Sequence, residues 1–287
     1  MEEGKRPPGL EAGNPDAGAL IWTSQPPLGF LRGDYYREEN FFAPVFEGAK
    51  GYHGILQVVA DRGKLVLVEF DEQNSPEYYM RMHQNLSKRY SDYAFFQAGK
   101  ERTRKTGAVW NNGVCAVEGQ MCRENRLTGG FDLLTGASNS VKRSFLPLAE
   151  AVDQRMKRRE TDGVYYGLAW RREAGVTPRL QVVVKDGKIC SCRYDEIFAD
   201  RAEEIREESQ KKYYRQSKYH APSYESSCAI GFNVWADLLE QLVIQNQSLR
   251  KLEQLPFCSG ERMCREYESY RELAEELERR MRADGWD

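Results

Sequence analysis

Gln57-Val58-Val59-Ala60-Asp61-Arg62-Gly63-Lys64 returns without a gap as Gln181-Val182-Val183-Val184-Lys185-Asp186-Gly187-Lys188, a shift of 124 positions. Each copy runs from an apolar, β-branched stretch into a short polar link bearing a glycine. A second strand-like run follows, Leu65 to Phe70 in the first copy. That pattern predicts strand, tight turn, strand. Phe70-Asp71-Glu72 recurs in the same register as Tyr194-Asp195-Glu196. Duplication is the economical explanation. It predicts an α+β protein of two tandem repeats, each a twisted, mainly antiparallel sheet carrying helices.

Outward from the hairpins, four segments are expected. Residues 1–25 read as a flexible arm, because Gly, Pro, Asp and Asn dominate and no period appears. Residues 26–160 form the first repeat and 161–257 the second. Residues 258–287 hold a C-terminal helix, in which Met263, Tyr267, Tyr270, Leu273, Leu277 and Met281 recur at steps of three and four. That stripe is expected either to pack across the two repeats or to form a homodimer seam. Pro76 to Tyr93 has helical character, whereas Lys100 to Gly130 reads as basic, Gly-rich and irregular.

The 287 residues carry 42 basic and 44 acidic side chains, a net charge of -2, so no global basic footprint marks a nucleic-acid partner. With 40% apolar and 11% aromatic residues the chain is expected to pack rather than remain disordered. No apolar run approaches the ~18 residues needed to span a bilayer. Met1 to Asp16 shows neither a signal-peptide core nor a lipobox cysteine. The expectation is a cytoplasmic protein whose seven cysteines are reduced thiols. Cys190 and Cys192 are expected to share one face of a strand. A zinc site built from Cys115, Cys122, Cys258 and Cys264 is disfavoured by its wide spacings.

The chemistry concentrates at Asp132-Leu133-Leu134-Thr135-Gly136-Ala137-Ser138, followed by Asn139, Ser140 and a helical run through Val141, Phe145, Leu148 and Val152. A helix start offers unpaired backbone N–H groups and a positive dipole end, and Gly136 and Ala137 allow close approach to that backbone. Phosphate is the natural guest. The plainer reading is that Thr135 and Ser138 are N-caps.

Taken whole, the stretch resembles the Asp-x-x-Ser/Thr-Gly-Ala-Ser/Thr signature of the FMN-binding domain family. That family includes the C subunit of sodium-pumping NADH:quinone oxidoreductase, the Rnf complex G subunit and bacterial surface electron-transfer lipoproteins. Gly51-Tyr52-His53-Gly54-Ile55 is similar to the family's Gly-Tyr-x-Gly-x-Ile approach to its first long strand, and Asp71-Glu72-Gln73-Asn74 to its Asp-Glu-x-Asn. The Glu-Thr-Pro-Gly-Leu-Gly loop of the Rnf branch has no counterpart here.

The resemblance implies an FMN-binding redox protein passing electrons between a reductase and an acceptor, more an electron carrier than a complete oxidoreductase. A flavin transferase is implied as a second partner. Asp132 would orient the motif or assist flavinylation. Thr135, Gly136 and Ala137 would bind phosphate. Ser138 would be the acceptor hydroxyl or a phosphate ligand. Asn139, Ser140, Tyr52, His53 and Gly54 complete the expected cofactor site, with Trp110 closing over the ring.

Thr135 to Ser138 align with Ser226-Ser227-Cys228-Ala229 at a shift of only 91, which assigns the first repeat 33 residues that the second lacks. The second copy has Ser223 at the acidic position and Ala229 at the acceptor position, so no covalent flavin is expected there. The alternative for the whole chain is a noncovalent FMN- or nucleotide-binding regulatory module, or an interaction protein with a vestigial site.

Overall fold

A computed structural model describes residues 22–42, 52–73, 87–133, 137–172, 174–221, 223–228, 230–252, 255 and 264–286. Six strands form a single antiparallel sheet: β1 (Gly29–Phe42), β2 (Tyr52–Asp61), β3 (Lys64–Gln73), β4 (Gly163–Ala169), β5 (Val176–Lys185) and β6 (Lys188–Phe198). Their order is β3-β2-β1-β4-β5-β6. The α+β expectation therefore stands, with one correction. The three strands of each half do not make a sheet each; β1 and β4 pair directly and join them.

That central pairing explains the continuity. Gly33 lies opposite Tyr165 and Tyr35 opposite Gly163, so Gly33-Asp34-Tyr35-Tyr36 and Gly163-Val164-Tyr165-Tyr166 are related by a local two-fold through the Asp34–Val164 pair. Both glycines are required where they stand. A Cβ at Gly33 would sit 2.5 Å from the Ala60 carbonyl oxygen, and one at Gly163, with φ +136°, would collide with that of Val184.

The repeated hairpins lie at opposite ends of the sheet. Arg62 and Gly63 have φ of 49° and 81°, Asp186 and Gly187 of 52° and 77°. Two consecutive positive φ values make type I′ links, whose twist matches the strands they connect. Each hairpin also slips register by one residue, between Val59 and Ala60 and between Val183 and Val184. These bulges leave Val66 and Cys190 as the extra residues. They overturn the expectation for the cysteines: Cys192 is buried and Cys190, displaced by the bulge, is exposed.

The sheet curls until its edges meet through two short segments. Ser87 bridges to Gln73 of β3, and Ser217 to Ile197 of β6. The Ser217 N–H then donates to the Tyr90 carbonyl at 2.8 Å, and the Ser87 N–H to Nδ1 of His220 at 3.3 Å. Each edge strand thereby gains a backbone partner near its end, which shortens the exposed ladder a free edge would present. Inside the curl Tyr35, Val59, Leu67, Tyr165 and Val183 form a small apolar cluster.

Helices cover the outside. α1 (Tyr93–Ala98) precedes the stretch expected to be irregular, and α2 (Glu101–Thr106) and α3 (Trp110–Glu124) fill most of it. α3 packs on β3 and α5 (Phe232–Asn246) on β6. The α3 and α5 helices close alike, with Asn125 and Gln247 in the left-handed region accepting the Leu65 and Ile189 N–H groups, each at 2.7 Å. α4 comprises Ser138–Ser140, a π-helical stretch Val141–Phe145 and Leu146–Arg158, and it lies on β1 and β2. α6 (Arg265–Ala283) lies on β4 and β5. The helix behind Ser226–Ala229 is thus the counterpart of α3, not of α4. The alignment that implied 33 extra residues paired two different helices.

Tyr270, Leu273, Leu277 and Met281 of α6 are buried in the second half's core. These four are covered within the chain, Tyr267 is half-buried beside them, and Met263 lies outside the described residues. That same core takes in Phe95, Ala98 and Val109 from the first half, and also Trp22, so the last residues of the expected flexible arm are packed into the fold. The two halves therefore share side chains as well as a sheet. Positions 76–86 of the expected helical stretch and 1–21 of the expected arm lie outside the described residues. Among the described residues no helix is long and apolar enough to cross a membrane.

Candidate phosphate-binding helix start

α4 begins where the motif predicts. Ala137 is its N-cap, the Val141 N–H donates to the Ala137 carbonyl at 2.9 Å, and Ser138, Asn139 and Ser140 supply the first turn. Ala137 is buried, Ser138 half-buried, Asn139 exposed and Ser140 buried. Among the described residues no side chain caps this start, and no acidic residue stands in its first turn. Lys142 and Arg143 follow in the next turn. Unpaired N–H groups, a positive dipole end and nearby cations together favour an anion. Thr135 and Gly136 lie outside the described residues. Asp132 is exposed, and its N–H donates to Oε1 of Gln120 at 3.0 Å.

Two glycines hold the helix start against the body of the first half. A Cβ on Gly113 of α3 would fall 2.5 Å from Cβ of Ala137, and one on Gly54 would collide with Oγ of Ser144. Gly54 therefore serves close packing of β2 on α4. Beside the first turns a cleft of ≈ 330 Å³ opens between α4 and the loop before it, lined by Leu127, Thr128, Gly129, Phe131, Lys142, Leu146, Pro147 and Glu150. Small-molecule sites are typically ~300 Å³ or larger, and this cleft reaches that size, although it is open to solvent and its walls are more polar than apolar.

The other expected ring contacts are not brought to this cleft. Trp110 is 1% exposed and packs on Phe70 at 5.9 Å between centroids, so its ring belongs to the core rather than to a lid. Its place on α3 explains this, since the helix must bury an aromatic against β3. The Tyr52 ring lies 3.9 Å from Nζ of Lys88. His53 stacks on Phe41 at 4.4 Å and reaches Glu39 and Gln73.

At the corresponding start of α6 the chain supplies its own anion. The Glu266 carboxylate accepts from the hydroxyl of Ser227, from Tyr224 Oη at 2.9 Å and from Lys218 Nζ at 3.4 Å. Burial opposes ionisation, but Lys218, Ser227 and Tyr224 outweigh it and hold this carboxyl below the usual range. Cys228 and Cys264 are joined by a disulfide beside it, which corrects the expectation of reduced thiols throughout. The same pairing leaves Cys264 no sulfur for a zinc site with Cys115 and Cys122, and Cys258 lies outside the described residues. Cys228, Cys264 and Glu266 are close enough to share a metal ion, but the bonded sulfurs leave the carboxylate alone as a strong donor.

The sequence reading missed a network inside the curl. Ser87-Lys88-Arg89-Tyr90 and Ser217-Lys218-Tyr219-His220 close the sheet in equivalent ways, at the same 130-position shift that separates Gly33 from Gly163. Lys88 pairs with Glu72, and Lys218 with Glu196 at 2.7 Å. Asp71 Oδ1 accepts the Glu72 and Arg89 N–H groups, as Asp195 Oδ1 accepts those of Glu196 and Tyr219. Burial pushes both aspartyl carboxyls up to about 6, against the hydrogen bonds that lower them. The shared Ser-Lys pair, 130 positions apart, was a signal, though a weak one.

No family model and no curated protein matches the chain. Among solved structures it is similar to the CPE2226 protein from Clostridium perfringens, at 22% identity, covering 46% of this chain and 94% of that one with a TM-score of 0.33. A likeness at that level carries no argument about fold or function.

Proposed function

We propose that the first half binds FMN by its phosphate at the start of α4, and that the protein works as a flavin-bearing electron carrier between a reductase and an acceptor. The observation that carries this reading is the contrast between equivalent helix starts. The second carries Glu266 in its first turn, whereas the first has hydroxyl and amide side chains there and, among the described residues, no acid. Ser138 is the attachment hydroxyl or a phosphate ligand, with Thr135, Gly136, Ala137, Asn139 and Ser140 around it and Asp132 beside the motif.

The cleft between Phe131 and Leu146 is the place for the ring, with Lys142 toward the phosphate side. Bound FMN would supply one- or two-electron chemistry, and the chain would position it and shield one face from water. A tandem pair of flavin-domain-like halves, only one of them loaded, is part of this proposal. The Cys228–Cys264 bond sits poorly with a reducing compartment, so the proposal does not include a cytoplasmic location.

The test is titration of the apo chain with FMN, then intact mass after coexpression with a flavin transferase. Ser138→Ala is expected to abolish any covalent flavin, because a phosphoester needs that oxygen. It should weaken noncovalent binding by about ten- to a hundredfold, the ~1.5–3 kcal/mol of one hydrogen bond to a charged group. A parent that stays colourless and gains no mass would overturn the reading. Colour without added mass would narrow it to a noncovalent site.

A further inference from the structure

The inside of the curled sheet holds a chamber that the flavin reading does not use. It lies on the local two-fold and is lined in matched pairs from the two halves, Gln57 with Gln181, Asp71 with Asp195 and Tyr90 with His220, with Glu69, Arg179 and Arg193 among them. Its volume is ≈ 50 Å³. At ~10–15 Å³ for each water-sized position, this is room for about four heavy atoms, far too little for a flavin ring.

The chamber's polar groups do not balance. Glu69 is matched to Arg179 Nη1 at 2.8 Å, and the same nitrogen reaches Tyr90 Oη at 3.1 Å. The Asp71 and Asp195 oxygens that face the closing segments already accept backbone N–H groups. By contrast Nη2 of Arg179, on a residue 6% exposed, has no partner among the described residues. Gln57 accepts the Tyr35 hydroxyl on Oε1 at 2.8 Å, which leaves its amide N–H groups as donors. Arg193 is exposed at the mouth. An unpartnered guanidinium N–H in a buried wall is costly, and a planar acceptor presented to its open side removes that cost.

We propose that this chamber is a binding site for one small planar oxyanion of formate or acetate size, taken between Arg179 Nη2 and the Gln57 amide beneath Arg193. The acids of the wall oppose it least in mild acid. Glu69 is ion-paired, and burial raises Asp71 and Asp195 to about 6, so both are still mostly ionised at pH 7 and become neutral only below pH 6. His220 stays neutral, because burial and the nearby Arg193 push its pKa down to about 3.

The site is tested on the full chain by calorimetric titration with sodium formate at constant ionic strength, with chloride and neutral formamide as controls. Formate is expected to bind saturably at millimolar concentration or better, and neither control to do so. Arg179→Lys keeps a cation for Glu69 but lacks the second guanidinium branch, and it should weaken formate at least tenfold. Gln57→Leu leaves every ion pair in place and should weaken it by a similar factor. Absence of saturable binding by the parent overturns the proposal. So does unchanged affinity in Gln57→Leu and Arg179→Lys, or formamide binding as tightly as formate.

Discussion

The starts of α4 and α6 are equivalent positions in one architecture, each helix lying across the inner pair of strands of its own half, yet they are completed in opposite ways. The second is locked from within: Cys228 is bonded to Cys264, Ser227 accepts the Arg265 N–H at 3.1 Å, and Glu266 draws in Lys218 and Tyr224. The first relies on close backbone packing of Ala137 on Gly113 and leaves its terminal N–H groups without an acid. Two matched frames thus carry one helix start that is a structural anchor and one that has no acid of its own, the place proposed for an exogenous anion.

The largest test of that contrast removes the buried lysines. Lys218→Met strands two carboxylates, Glu196 and Glu266, while Lys88→Met strands Glu72. Breaking a buried ion pair costs about 3–5 kcal/mol, so both variants should unfold at markedly lower urea, Lys218→Met the lower. Equal midpoints would show that Glu266 draws little from Lys218 and would remove the asymmetry.

Next comes the disulfide, which closes a stretch with a sequence separation of 36. Reduction, or the paired change Cys228→Ser and Cys264→Ser, should cost about 2–4 kcal/mol in denaturant unfolding. FMN binding in the first half should change little. If flavin affinity falls together with stability, the two helix starts are coupled and the division of labour is wrong.

The closing segments differ in their response to acid, because Tyr90 of the first stands where the second has His220. His220 keeps a folded pKa of about 3 through burial and Arg193, below the ordinary value near 6.5. A depressed histidine leaves stability intact above the unfolded pKa and loses it as pH falls from 6.5 toward 3. Between pH 6.5 and 5 that loss is about 2 kcal/mol. Asp71 and Asp195 act the other way. Raised to about 6, they favour the folded state more as pH falls, but they do so in parent and variant alike. His220→Asn should therefore gain about 2 kcal/mol on the parent between pH 7 and pH 5, read from urea midpoints at the two values. Parallel pH curves would show that the ring is not held neutral.

The smallest effect concerns the helix ends that mirror one another. Asn125→Ala and Gln247→Ala each lose the acceptor for a strand N–H and place alanine at positive φ, at about 1–2 kcal/mol apiece. Similar losses in melting temperature would confirm that these ends serve the same purpose, and a difference above a factor of two would show that they do not.

The hairpins were legible because a β-branched run broken by Asp-Arg-Gly or Lys-Asp-Gly has few local solutions, and both copies took the same one. The start of α4 at Ser138 was legible for a similar reason, as was the apolar stripe of α6. Trp110 was misread because an aromatic among glycines and asparagines carries no local mark of burial. Only the proximity of β3 makes it core. The face shared by Cys190 and Cys192 was misread because one bulge residue reverses the alternation, and a bulge is set by the partner strand.

By itself the sequence determined the matched hairpins, their turns and the helix start, all of them properties written within a few neighbouring residues. Tertiary structure alone decided that the halves share one sheet and that its edges close through Ser87 and Ser217. It also decided that Cys228 meets Cys264 and that Arg179 faces a chamber with an unmatched N–H. Each of these joins residues dozens of positions apart, and what brings them together is the burial of polar groups that must find partners once water is excluded.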